Sequence, residues 1–119
     1  MKTLFVSKLY VLGLVILFSM SNCESELNEV PSCVNDKINE TKSQKIRNPP
    51  GSVWQYMYNG QTVYFIPQYC CDIPSVLLDE NCNSICSPDG GLTGNGDGKC
   101  PDFFTTRTEE KLIWSDDRK

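Results

Sequence analysis

The sequence predicts a small, disulfide-stapled α+β domain: one N-terminal helix packed on a β-hairpin, with short strands and a glycine-rich loop. Three observations predict it. Residues 33–46 carry an apolar stripe at helical i, i+4 spacing. Two strand-like runs, 53–58 and 61–66, flank Asn59-Gly60, the preferred dipeptide of a type I′ hairpin. Six cysteines, Cys33, Cys70, Cys71, Cys82, Cys86 and Cys100, are spread along a stretch too short to build a large core.

The 119 residues allow one domain. The chain has no histidine, so His-based acid–base catalysis and His-ligated zinc or haem are excluded. A net charge of −4 without a basic stripe argues against a nucleic-acid partner. With 39% hydrophobic and 22% charged residues, the composition is that of a folded chain.

Residues 1–22 read as a bacterial lipoprotein signal peptide. Lys2 and Lys8 form a positive start, and Leu9 to Phe18 an apolar run too short to span roughly 30 Å of hydrocarbon. Cys23 follows and resembles the cysteine of a lipobox, although Met20 and Asn22 depart from its strict pattern. The cysteine count fits this reading: of seven, one takes the lipid at Cys23 and six can pair in an oxidising compartment. Residues 23–31 then form a polar, lipid-anchored tether, and residues 32–118 the domain.

Within the domain, Ser32 is placed to cap a helix over 33–46, with Val34, Ile38, Thr41 or Lys42, and Ile46 on its thin apolar face. Asn48-Pro49-Pro50-Gly51 ends it. With Asn59 and Gly60 as the two loop residues, Tyr58 faces Gln61, Tyr56 faces Val63 and Trp54 faces Phe65. That face is the more apolar and is expected to pack on the helix; an exposed aromatic binding strip is the alternative. Pro67 closes the second strand. Residues 73–78 form a short apolar segment, 79–81 a turn, and 82–86 a short strand or loop. Residues 87–98 hold five of the eight glycines and form an irregular surface loop. Phe103 and Phe104 dock back into the core. Residues 111–114 form a last strand with Leu112 and Trp114 on one face, and residues 116–119 fray.

Adjacent Cys70 and Cys71 are expected to diverge to different partners. Cys33 is expected to join one of them, and the other to join Cys86 or Cys100. The thiol spacings lack the paired knuckles of structural zinc. Asn95-Gly96-Asp97-Gly98 matches the middle of a calcium loop, and Asp89 and Asp102 could add oxygen ligands. Thr93 and Phe104, however, stand where the first and last carboxylates belong. No cofactor other than calcium at this loop is expected. Scattered aspartates and the absence of GxGxxG, GxSxG and P-loop motifs give no catalytic constellation, so a non-enzymatic role is expected.

Two resemblances follow. Val63-Tyr64 through Cys70-Cys71-Asp72, and Asp89 through Phe103 with its GGxTGxGDGxCPDF pattern, resemble a family of small exported lipoprotein domains of unknown function from Bacteroidota-type bacteria. The likeness spans about residues 33–116 and implies a lipid-anchored envelope protein without a known activity. Cys86-Ser87-Pro88-Asp89-Gly90, with Thr93 and Asn95, resembles a Kazal-type inhibitor loop, although Gly94 replaces the expected Tyr. The expectation is thus a monomeric cell-envelope lipoprotein, on the outer membrane or facing the periplasm. It would act as a binding or structural module toward a protein or glycan, with the 89–98 loop as its working surface. The alternatives are a protease inhibitor presenting the 87–98 loop and a calcium-stabilised binding domain.

Overall fold

The computed structural model describes residues 30–67, 69–70 and 72–119. The order of elements is helix α1 (Ser32–Ser43), strands β1 (Ser52–Tyr58), β2 (Gln61–Ile66), β3 (Val76–Asp79) and β4 (Ser84–Cys86), helix α2 (Phe103–Thr106) and strand β5 (Thr108–Ser115). The strands form one antiparallel sheet in the order β4-β3-β2-β1-β5. The α+β class, the single long helix and the disulfide stapling expected from the sequence are all present.

The hairpin has the predicted register: Trp54 opposite Phe65, Tyr56 opposite Val63 and Tyr58 opposite Gln61. Asn59 and Gly60 supply the two positive φ angles, 50° and 76°, that a type I′ turn requires. β2 lies at the centre of the sheet, and Val63, Tyr64 and Phe65 are buried in succession. Successive strand residues point to opposite faces, so three in a row are buried only when both faces are covered.

This changes the expected packing. The Trp54/Tyr56/Val63/Phe65 face is core, not an exposed aromatic strip, but α1 does not cover it. Phe103 of α2 does, together with Leu77, Cys86 and Cys100. α1 lies on the opposite face, where Val34 and Ile38 pack with Val53, Tyr64 and Leu78. Both faces of the hairpin are apolar enough to be buried, and the comparison of one against the other that pointed to a single buried face had no reason to choose.

The helix is shorter than expected. Its N-cap is Pro31 rather than Ser32, with the Pro31 carbonyl accepting from the amides of Val34 and Asn35. It ends at Ser43, which leaves Ile46 outside it and 46% exposed, while Thr41 is buried in its last turn. β1 enters directly beneath that turn. A Cβ on Gly51 would lie 2.9 Å from Thr41 Cγ2 and 3.4 Å from the Trp114 ring, so the close approach requires glycine.

β5 carries a bulge. Val53 pairs with Trp114 but Trp54 pairs with Leu112, leaving Ile113 as the extra residue. Leu112 and Trp114 therefore lie on opposite faces, not on one: Trp114 joins the α1 side and Leu112 stays about half exposed. The chain end does not fray either. Asp116 is buried, its amide donates to the Gly51 carbonyl, and Arg118 reaches back to α1. The sequence shows only a run of four charged residues; the carbonyls that Arg118 meets lie more than 70 residues away.

Candidate functional site

The cysteines come first, because they fix both surfaces that could bind. Cys33 bonds Cys82, which ties the first turn of α1 to the β3–β4 turn. Cys86 bonds Cys100, which closes the glycine loop at its base. The expected link from Cys33 to Cys70 or Cys71, and from the other of these to Cys86 or Cys100, is therefore not formed. α1 crosses the sheet face toward the β3–β4 side, so its N-terminal turn meets Cys82. Cys70 lies on the exposed segment after β2; Cys71, like Cys23 and residues 1–29, falls outside the described residues.

The glycine loop folds on itself. Gly90 and Asn95 form a β-bridge, the Gly96 amide donates to the Gly90 carbonyl, and the Asp97 amide donates to the Ser87 carbonyl. A Cβ on Gly96 would fall 1.8 Å from that Ser87 oxygen, at a φ of +66° that side chains rarely adopt. The loop is held to the sheet by Ser75, which is fully buried. Its hydroxyl donates to the Asp89 carbonyl at 3.0 Å and accepts from the Asp89 amide at 3.1 Å. At the tip, Leu92 is 87% exposed.

The candidate calcium residues are not gathered. The Asp102 carboxylate accepts from Tyr58 Oη at 2.7 Å, and Asp97 accepts from the Lys99 amide at 3.0 Å. That amide bond is the main reason the Asp97 carboxyl sits below its ordinary pKa. Asn95 is on the loop surface, and Asp89 Oδ1 is buried without a hydrogen-bond partner. Among the described residues no three His, Cys, Asp or Glu side chains come close enough to hold a metal ion.

A marked concavity lies elsewhere, on the α1 side at the open end of the hairpin. It is a groove of about 450 Å³. Pro49, Pro50, Pro67 and Pro74 form much of its wall, with Ile66 and Ile73 between them. Trp114 and Tyr69 are its aromatic surfaces, and Lys37, Glu40, Gln44 and Arg47 its polar side. The local chain explains the shape. β1 begins and β2 ends at the same end of the hairpin, so the prolines that precede one and follow the other converge there, where they stop the ladder and leave a gap.

The polar side is unevenly matched. Glu40 pairs with Lys37 at 3.0 Å, and Asp116 with Arg118 at 2.7 Å. Lys42 sits 6.0 Å from the Trp114 ring centre. The Arg47 guanidinium stacks over the Tyr69 ring at 4.1 Å and donates from Nη2 to Gln44 Oε1 at 2.7 Å. Its Nε is buried and finds no acceptor among the described residues. None of these residues was singled out in the sequence as a site. The readable signal was the clustering of prolines on both flanks of a hairpin.

A five-stranded antiparallel sheet, covered on one face by a long helix and on the other by a stapled loop and a short helix, defines a small disulfide-linked α+β domain. Its own residues supply a groove and, among those described, no group of three metal-ligating side chains. The chain belongs to the family described as Domain of unknown function (DUF6970), whose model matches residues 39–116. No curated protein and no solved structure matches the chain. The family match takes in the groove residues Arg47, Tyr69 and Trp114 and both cysteines of the loop staple. It begins inside α1, after Cys33. Among the described residues no helix is long and apolar enough to cross a membrane.

Proposed function

We propose that this chain is a lipid-anchored binding module of the bacterial cell envelope, held to the membrane through Cys23 and working through the proline-walled groove. The groove carries the reading: it is concave, mostly apolar, and lined by a few polar groups, which is the makeup of small-ligand sites. The signal-like residues 1–22 support the address. The Cys33–Cys82 and Cys86–Cys100 bonds agree with an oxidising compartment. The working surface thus moves from the 89–98 loop to the α1 side of the sheet.

Two measurements test this. Intact mass of the chain from its native host should show an acylated Cys23; an unmodified terminus overturns the anchor. Trp54 and Trp114 are the only tryptophans. In a Trp54→Phe background, emission therefore reports on the groove alone. A panel of peptides, oligosaccharides and organic acids should contain a ligand that shifts both emission and Tm. A complete panel with no shift overturns the binding role.

Protease inhibition is a second reading, favoured by Leu92 standing out on a loop closed by Cys86–Cys100. The tip is a tight turn, with the Gly94 amide donating to the Gly91 carbonyl. Proteases take extended segments, so this geometry favours the groove. Loss of protease activity with the loop intact supports inhibition; cleavage beside Leu92 removes it.

A further inference from the structure

The groove is basic within an acidic chain. The charged residues that line it are Lys37 and Arg47 against the single acid Glu40, whereas the whole chain has a net charge of −4. The acids near this surface are already engaged, Glu40 by Lys37 and Asp116 by Arg118. Asp116 accepts Arg118 on both carboxylate oxygens. Arg47 makes no ion pair among the described residues. Its guanidinium lies over the Tyr69 ring and is bonded at Nη2 to Gln44, so the direction of its remaining donors is set before any ligand arrives. One of those donors, Nε, is buried without an acceptor. Because Nε is shut off from solvent, a carboxylate meets the terminal amino edge of the guanidinium, where it gains charge-assisted bonds.

Beside this donor the wall is apolar: Pro49, Pro67, Ile73, Pro74 and Trp114. A volume of about 450 Å³ suits a small molecule rather than a folded partner. Building on the binding-module reading, we infer that the groove takes a small amphipathic carboxylate. Its acid group meets Arg47, and its aromatic or aliphatic body lies against the prolines and Trp114. A sugar's hydroxyls would leave the Arg47 charge unneutralised, which places organic acids ahead of glycans.

The test uses 4-phenylbutyrate, with 4-phenylbutyramide as its uncharged analogue, titrated into the full chain with disulfides intact. Calorimetry and Trp114 emission read the binding. The acid should bind on the order of tenfold more tightly than the amide, as a partly shielded charge-assisted contact requires. Arg47→Gln should bring the acid down to the level of the amide, and added salt should do so in part. Ile73→Glu changes an exposed wall residue and carries little folding risk. It should weaken the acid more than the amide. Equal binding of acid and amide, or an acid affinity untouched by both variants, overturns the inference while leaving the groove as a binding site. Failure of both probes to bind overturns the inference too. The binding-module reading falls only with the wider panel described above.

Discussion

Arg118 closes the C-terminal end of α1 while Asp116, two residues before it, grips the same guanidinium. Nη1 donates to the carbonyls of Lys42 and Gln44, and Nη2 to that of Thr41. Nε and Nη2 also meet Asp116 Oδ1 and Oδ2 at 2.9 and 2.7 Å. The last carbonyls of a helix lack partners within it, and a cation there also favours the helix dipole. Arg118→Ala takes the guanidinium from those carbonyls and leaves a carboxylate of 1% exposure with only the residue-118 backbone amide as donor. The expected loss is on the order of 5–10 °C in Tm, measured by circular dichroism.

The same pair contributes to the loss of stability in acid, beside Asp79 and Asp97, whose carboxyls are also lowered. Hydrogen bonding from Arg118 holds the Asp116 carboxyl below its ordinary pKa, with the Arg118 and Arg47 charges adding to the effect. A group depressed in the folded state stabilises above its unfolded pKa of about 4, and that contribution is lost as the pH falls through the folded value. Urea unfolding between pH 2 and 6 should show a steeper acid decline in the native chain than in Asp116→Asn. Equal slopes would remove the assignment.

Tyr56 contributes to the alkaline limit, beside Tyr58 and Tyr64, whose phenols are also raised. Burial, followed by its hydrogen bond to Glu110, raises its pKa to about 12, against the opposing pull of Arg107. The unfolded chain ionises this phenol near pH 10 and the folded chain does not. Stability is therefore complete below about pH 10 and falls as the pH rises toward 12. Tyr56→Phe should flatten that decline. Ultraviolet titration of the native protein should show Tyr56, together with Tyr58 and Tyr64, ionising above the ordinary phenol range.

Phe103 anchors the face opposite α1. It is fully buried, with Tyr56, Tyr58 and Phe65 ring centres at 5.6, 5.3 and 5.4 Å. Phe103→Ala should cost about 3–5 kcal/mol, read from the denaturation midpoint. Phe103→Leu should cost less. The loss should also free the 87–98 loop, because α2 and the loop staple share this core.

The two disulfides close separate stretches of chain, 49 and 14 residues apart in sequence. Loop-closure entropy assigns about 4 kcal/mol to Cys33–Cys82 and about 3 kcal/mol to Cys86–Cys100. Because neither loop contains the other, paired Cys→Ala replacements should add nearly linearly. A combined effect far from the sum would show that the two faces of the sheet are coupled.

Local signals were legible and long-range ones were not. Asn59-Gly60 set the hairpin register because a two-residue turn leaves one pairing. Val34 and Ile38 showed the inner side of α1 because burial repeats at helical spacing. Which face of the hairpin α1 would cover could not be read, since Tyr64 and Ile66 are as able to be buried as Val63 and Phe65. The partner of Cys33 depends on where α1 crosses the sheet, which is a matter of packing. The bulge at Ile113 reversed Leu112 by shifting alternation by one residue. Arg118 looked like loose surface charge because its acceptors are backbone oxygens, which leave no mark in side-chain composition. The groove arises from four prolines brought together only when the hairpin closes.

α1 is fastened at both ends, by Cys82 at one and by Arg118 at the other. A free segment of 12 residues would hold a helix poorly in water. Here the fastenings and the inner stripe of Val34, Ile38 and Thr41 do that work. Its outward positions, Asn35, Asp36 and Asn39, owe almost nothing to the fold. Related chains could recode that outer surface freely, one lineage at a time, while keeping the same architecture beneath it.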